Sequence, residues 1–223
     1  MSKSPFFVGT ITLVALLLLL IFGLAAVGPI LKNKEVDGTE VPGLAKSQTP
    51  SADFGNPSLG PAEAELVIFL YGDYQCAACT TFEQILQTII NEYPNQIRLV
   101  WKDLPNQRLH PEAWGAALAA RCAREQGAFW EYHDTLMNNQ AALNEANYPI
   151  FAQELGLDTE SFETCRQERR TEPLVKRDVE EAINLGVSAT PYLFIGDKKF
   201  SGSLSEEHVR ITIEAALNSL GAN

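Results

Sequence analysis

Two cysteines three residues apart, Cys76 and Cys79, stand where an apolar run gives way to a helical repeat. Ahead of them Leu66-Val67-Ile68-Phe69-Leu70-Tyr71 is a β-branched and aromatic run of strand length. After them Phe82, Ile85, Leu86 and Ile89 recur at helical spacing. A strand, a short turn and a helix would put Cys76 at the helix N-terminus, where unpaired backbone N–H groups and the macrodipole favour a thiolate. Cys79, one turn on, shares that face and lies within disulfide reach. The pair thus supplies an attacking and a resolving sulfur. A structural disulfide or half a zinc site are the competing readings. Zinc would need more ligands, and His110, His133 and His208 form no paired motif, so no metal and no cofactor is expected.

Residues flanking the pair are candidates for supporting roles. Asp73 ends the first apolar run and Lys102 follows that of a second strand, so either could move a proton to or from the sulfurs. Tyr74 and Gln75 are candidates to line a substrate groove. Trp130 and His133 fall in an aromatic helical stripe, which reads as core.

The elements that must hold these residues follow in order. A second strand, Ile97 to Leu104, comes after the first helix, and strand–helix–strand suggests a parallel βαβ unit. From Pro111 to Leu185 only helical patterns occur, among them an Ala-rich helix through Cys122, and so a helical subdomain is inserted at about 108–186. Pro191 to Ile195 and Lys198 to Gly202, joined by Gly196-Asp197, read as a hairpin. Ser203 and Glu206 have the spacing of a capping box for the last helix.

Ahead of this domain, 61–220, the chain divides into a short tail (1–5), an apolar segment (6–31) and a linker (32–60) rich in Gly, Pro, Ser, Thr and Asp. The apolar segment would be about 37 Å long as a helix, enough to cross a bilayer core. It is expected to be a single transmembrane anchor, with a cleaved signal peptide ending near Ala25-Ala26-Val27-Gly28 as the other reading. Lys3 on one side and Lys32 and Lys34 on the other leave orientation undecided. The paired cysteines favour the exported side, where disulfides persist. A formal charge of −11 with dispersed acidic residues argues against nucleic acid as a partner.

Four blocks in this order carry a family resemblance: Asp73-Tyr74-x-Cys76-x-x-Cys79, Trp101-Lys102-Asp103-Leu104-Pro105, Cys122 through Gln126-Gly127-x-Phe129-Trp130 to His133-Asp134, and Gly186-Val187-x-Ala189-Thr190-Pro191. Together they resemble the DsbA-like branch of the thioredoxin superfamily. The resemblance implies an α/β thioredoxin fold with a helical insertion, and a redox-active disulfide acting outside the cytosol. It also implies a cis peptide before Pro191 that brings Thr190 beside the sulfurs as part of the substrate site. Ala77-Ala78 departs from DsbA, which has a proline and a histidine there. Without that histidine, Cys76 should be less acidic and its disulfide less oxidising than in DsbA.

Cys122 and Cys165, on separate predicted helices, are expected to form a structural disulfide, two buried free thiols being the alternative. The function expected is a membrane-anchored thiol-disulfide oxidoreductase with its domain on the extracytoplasmic side. It would introduce disulfides into exported proteins through Cys76 and Cys79 and be reoxidised by a redox partner in the membrane. Reversed electron flow, as a reductase or isomerase, and a non-catalytic binding module are the alternatives. Potentials across this superfamily span about 150 mV, so the fold alone does not choose a direction.

Overall fold

The computed structural model describes residues 49–53 and 55–221. The expected anchor at 6–31 lies outside the described residues, as does most of the expected linker. Among the described residues no helix is long and apolar enough to cross a membrane.

A five-stranded sheet runs in the order β1-β3-β2-β4-β5, with β1 Ser58–Leu59, β2 Leu66–Gly72, β3 Ile97–Asp103, β4 Tyr192–Ile195 and β5 Lys198–Ser201. β2 is central, parallel to β3 and antiparallel to β4. Its side chains alternate between two buried faces: Leu66, Ile68 and Leu70 join the larger core, while Phe69 and Tyr71 join a smaller one behind the sheet. Burial on both faces explains why the strand reads as a continuous apolar run rather than an alternating one.

Seven helices accompany the sheet among the described residues: α1 Ala77–Ile90, α2 Ala113–Glu125, α3 Phe129–Asn138, α4 Tyr148–Glu154, α5 Thr159–Gln167, α6 Glu172–Asn184 and α7 Glu206–Leu220. α1 buries Phe82, Leu86 and Ile89 in the larger core with Val209, Ile213 and Leu217 of α7. α6 covers the opposite face, setting Ala182 against Phe69, Tyr71 and Phe194. The helices between β3 and β4 form the expected insertion. Its first member buries Ala113, Ala116, Ala117, Ala119, Ala120 and Ala123, small side chains that permit close helix approach.

Cys122 of α2 is bonded to Cys165 of α5, with Cα atoms 5.8 Å apart. The expected structural pairing is therefore present.

Two expectations about boundaries change. Part of the predicted linker belongs to the domain: Ser58 and Leu59 pair with Val100 and Leu99, and the Ser51 hydroxyl donates to Glu181 at 2.7 Å. A two-residue edge strand has no periodicity to reveal it, and its neighbours Pro57 and Gly60 signal a loop. The last helix is capped by Ser205 rather than Ser203. Ser205 is extended, and its Oγ accepts from the His208 N–H at 3.3 Å.

The register decides where chemistry can occur. Tyr71 lies level with Lys102 on one side and Tyr192 on the other. The end of β2, the end of β3 and the start of β4 therefore meet at one edge of the sheet. The Cys76–Cys79 turn, the loop after Asp103 and the Thr190-Pro191 segment are brought together there.

Candidate active site: a helix-capping thiol beside a cis-proline

Cys76 is the N-cap of α1. Its backbone is extended (φ −81°, ψ 104°), and its Sγ accepts a hydrogen bond from the Cys79 N–H at 3.3 Å. A sulfur thus takes the place that a Ser or Asp side chain usually fills, at the end of the helix where negative charge is favoured. On its other side the Cys76 thiol donates to the Thr190 carbonyl at 3.6 Å. The Thr190-Pro191 peptide is cis, as the family resemblance implied.

Both cysteines are free thiols, Cys76 7% exposed and Cys79 1%. Their acidities separate. Hydrogen bonding from the Cys79 thiol, aided by the Thr190 side chain and the Cys79 N–H, lowers Cys76 to about 6 against burial and the negative charge of Asp73. Cys79 moves up, because its proton is held by Cys76 and it is more deeply buried. At neutral pH one sulfur is a nucleophile and the other a proton-bearing thiol. This is the asymmetry that disulfide exchange through a mixed intermediate requires.

Asp73 lies at the site but is committed structurally. It is 1% exposed, and its Oδ1 accepts from the Gln75 N–H at 2.8 Å. Its Oδ2 accepts from the Asn106 N–H at 2.7 Å and meets His110 Nδ1 at 2.9 Å. The carboxylate therefore fastens the turn leading to Cys76 to the turn between β3 and α2. Gly72, just before it, has no room for a larger residue, since a Cβ there would fall 2.0 Å from the Trp101 ring.

Tyr74 and Lys102 sit otherwise than expected, and Gln75 is engaged by α2. Tyr74 does not line a groove; it is 1% exposed, with its hydroxyl 3.0 Å from His133 Nδ1. Gln75 is half-buried, and its side-chain oxygen accepts from the Glu112 N–H at 2.7 Å, bracing the start of α2. Lys102 faces away from the sulfurs, toward α6. It pairs with Glu181 at 2.8 Å and Asp178 at 3.6 Å, and donates to Asn56 at 3.0 Å. Asp178 is shared with Arg121, which also reaches Asp103 at 2.6 Å. Strand alternation is the reason: Trp101 and Asp103 point to the redox face, and Lys102 between them points to the other.

Two contributors were missed. Gln140, in the 3₁₀ turn Gln140–Ala142, donates to the Tyr74 carbonyl at 2.8 Å and the Cys76 carbonyl at 3.2 Å. His133, read as core, is indeed fully buried, but its Nε2 is 3.0 Å from Glu83 on α1, so it joins Tyr74 to that helix. No local motif in the sequence marks either contact.

Reaching Thr190, whose carbonyl meets the Cys76 thiol, a groove of about 350 Å³ runs between the loop after β3 and the segment before the cis-proline; Leu104, Pro105, Arg108, Val187 and Thr190 are among its walls. Fold and site together define a thioredoxin-like thiol-disulfide oxidoreductase framework. The chain belongs to the thioredoxin family, which it matches over residues 53–215.

Among solved structures, it is similar to a thioredoxin-like oxidoreductase from Silicibacter pomeroyi DSS-3, with 27% identity and a TM-score of 0.68 over 74% of this chain and 94% of that one. BdbD from Bacillus subtilis in its oxidised form shares the fold, with 20% identity and a TM-score of 0.67 over 74% and 94% of the two chains. So does the thiol-disulfide exchange protein α-DsbA2 from Wolbachia pipientis, at 20% identity and 0.66 over 73% and 88%. The fold read from the DsbA-like motifs is thus the one observed. Among curated proteins, the chain is 36% identical over 157 residues, 70% of its length, to Na(+)/H(+) antiporter NhaA 1 of Salinispora arenicola. It spans only about a quarter of that protein's length, 24%.

Proposed function

We propose that this protein is an anchored, extracytoplasmic thiol-disulfide oxidoreductase that introduces disulfides into exported proteins. The observation that carries this reading is the Cys76 sulfur, which caps α1, accepts from the Cys79 N–H and faces the Thr190 carbonyl. In the oxidised protein a substrate thiolate attacks Sγ of Cys76. A bond forms between substrate sulfur and Cys76, the Cys76–Cys79 bond breaks, and Cys79 leaves and takes up a proton. A second substrate thiolate then attacks the substrate sulfur of this mixed disulfide, and Cys76 leaves as thiolate. The substrate loses two electrons and the protein gains two, to be reoxidised by a disulfide-bearing partner in the membrane.

Two features support the oxidising direction and the compartment. Stabilising the Cys76 thiolate stabilises the reduced state, which makes the disulfide a better oxidant. An acidity of about 6 falls between thioredoxin, about 7, and DsbA, about 3.5. The apolar segment 6–31 is the reason for proposing a single-pass anchor, and the Cys122–Cys165 bond favours an oxidising compartment. Thr190 and Pro191 would present the substrate backbone to Cys76.

The test is a redox titration of the full-length protein in detergent, coupled to refolding of a reduced disulfide-containing protein. A potential between about −270 and −120 mV, with refolding lost in Cys76→Ala, is expected. A potential below that of thioredoxin would reject the oxidase and favour a reductase.

A further inference from the structure

Resting on that reading, we infer that Arg108 makes the groove beside Cys76 selective for extended substrates carrying a carboxylate next to the reacting cysteine. The groove is walled by Leu104, Pro105, Gln107, Arg108, Val187 and Thr190 among others, and Arg108 is the one ionisable side chain lining it. The chain as a whole carries a formal charge of −11, and the other residues lining the groove are uncharged, so Arg108 sets the charge there.

Among the described residues, Arg108 is also without an ion-pair partner. Arg121, Arg166, Arg169, Arg170, Arg177 and Arg210 each pair with at least one carboxylate, whereas Arg108 is exposed and pairs with none among the described residues. An arginine held free beside a binding groove offers a planar fork suited to a carboxylate.

Its base is fixed relative to the sulfurs. The backbone closes a turn from Asn106 to His110, with the Leu109 and His110 N–H groups donating to the Asn106 carbonyl at 3.0 and 2.8 Å. Both ends of that turn are bonded to Asp73 Oδ2, and Asp73 Oδ1 holds the Gln75 N–H next to Cys76. The far side of the groove is the Thr190 segment, whose carbonyl meets the Cys76 thiol. A chain lying in the groove with its sulfur at Cys76 therefore passes a positive charge set at a defined place. Selection by such an exposed charge is modest, on the order of two- to fivefold in rate, and screened by salt.

The test uses full-length protein in detergent with its Cys76–Cys79 disulfide formed. It is reacted with three reduced dithiol peptides identical but for Asp, Asn or Lys beside the first cysteine, and each rate is divided by that of Arg108→Gln to cancel differences in peptide thiol acidity. Ratios falling from the Asp to the Asn to the Lys peptide, shrinking at high salt and reversing in Arg108→Glu, are expected. Equal ratios for the three peptides would overturn the selection while leaving the exchange chemistry standing, because the Asn peptide would still react. Reaction with none of the peptides would overturn both.

Discussion

Asp73 and His110 meet at 2.9 Å across the joint between the cysteine turn and the loop after β3, and the same carboxylate oxygen accepts the Asn106 N–H. The nucleophile and one wall of the groove are therefore set by a single buried side chain. Asp73→Asn should produce two opposite changes. Loss of the charge that opposes ionisation should lower the Cys76 pKa, and an amide N–H facing the Asn106 N–H should cost about 1–3 kcal/mol of stability. Thiolate ultraviolet absorbance against pH, with denaturant unfolding of the same sample, reads both. A Cys76 pKa that rises in this variant would contradict the account.

Cys76 itself gives a pH signature. Its folded-state value, about 6, lies below the ordinary thiol value, so the stabilisation of the reduced form is fully present above the ordinary value. It is lost as pH falls through 6. Alkylation of Cys76 should rise with a midpoint near 6, while Cys79 stays unreactive in the folded protein. The stability gap between reduced and oxidised protein should shift toward the oxidised form as pH falls from 9 toward 5, on the order of that window. A midpoint at the free-thiol value would mean that the hydrogen bonds from the Cys79 thiol, Thr190 and the Cys79 N–H do not stabilise the Cys76 thiolate.

The Lys102 cluster should behave as structure and not as chemistry. Lys102→Met leaves Asp178 and Glu181 short of a buried cation and is expected to cost about 3 kcal/mol or more. The alkylation midpoint of Cys76 should not move. A midpoint displaced by as much as in Asp73→Asn would return Lys102 to the proton-transfer role suggested by its position in the sequence.

The second disulfide should separate from the first. Replacing Cys122 and Cys165 together by Ala releases a loop with a sequence separation of 43, costing up to about 4 kcal/mol in the chain-entropy view. The redox potential of Cys76 and Cys79 should be unchanged, because the lost bond joins α2 to α5. A shifted potential would show that the insertion strains or supports the active turn.

Gly72→Ala offers a steric check near the site. A Cβ placed 2.0 Å from the Trp101 ring forces the indole or the strand to move, at about 1–3 kcal/mol. Thermal unfolding measures the cost, and a neutral result would mean Trp101 has room to retreat.

What could be read from the sequence follows the range of the interactions. Cys76 at a helix start and Cys79 one turn later depend on a strand and a helix signalled by their own periodicity. The strand Lys198–Ser201 was legible from the Gly196-Asp197 turn, which marks a hairpin with the run before it. Lys102 was misplaced because its facing depends on strand alternation combined with partners on α6, more than 70 positions away. Tyr74 looked available for substrate only because its partner, His133, lies 59 residues on. Gln140 had no signal at all, since its two acceptors are backbone carbonyls of the cysteine turn, 66 and 64 positions earlier.

The sheet closes its two sides unequally. β1 covers one margin with only two residues, and β5 forms the other with Lys198 and Lys199 exposed along it. Charged lysines on an outermost strand discourage a foreign chain from adding to the ladder. A catalyst that repeatedly meets unfolded polypeptides would otherwise offer them a place to aggregate. If the protein acts as proposed above, this lysine-bearing margin would discourage such addition and leave contact with a substrate chain to the groove near the sulfurs.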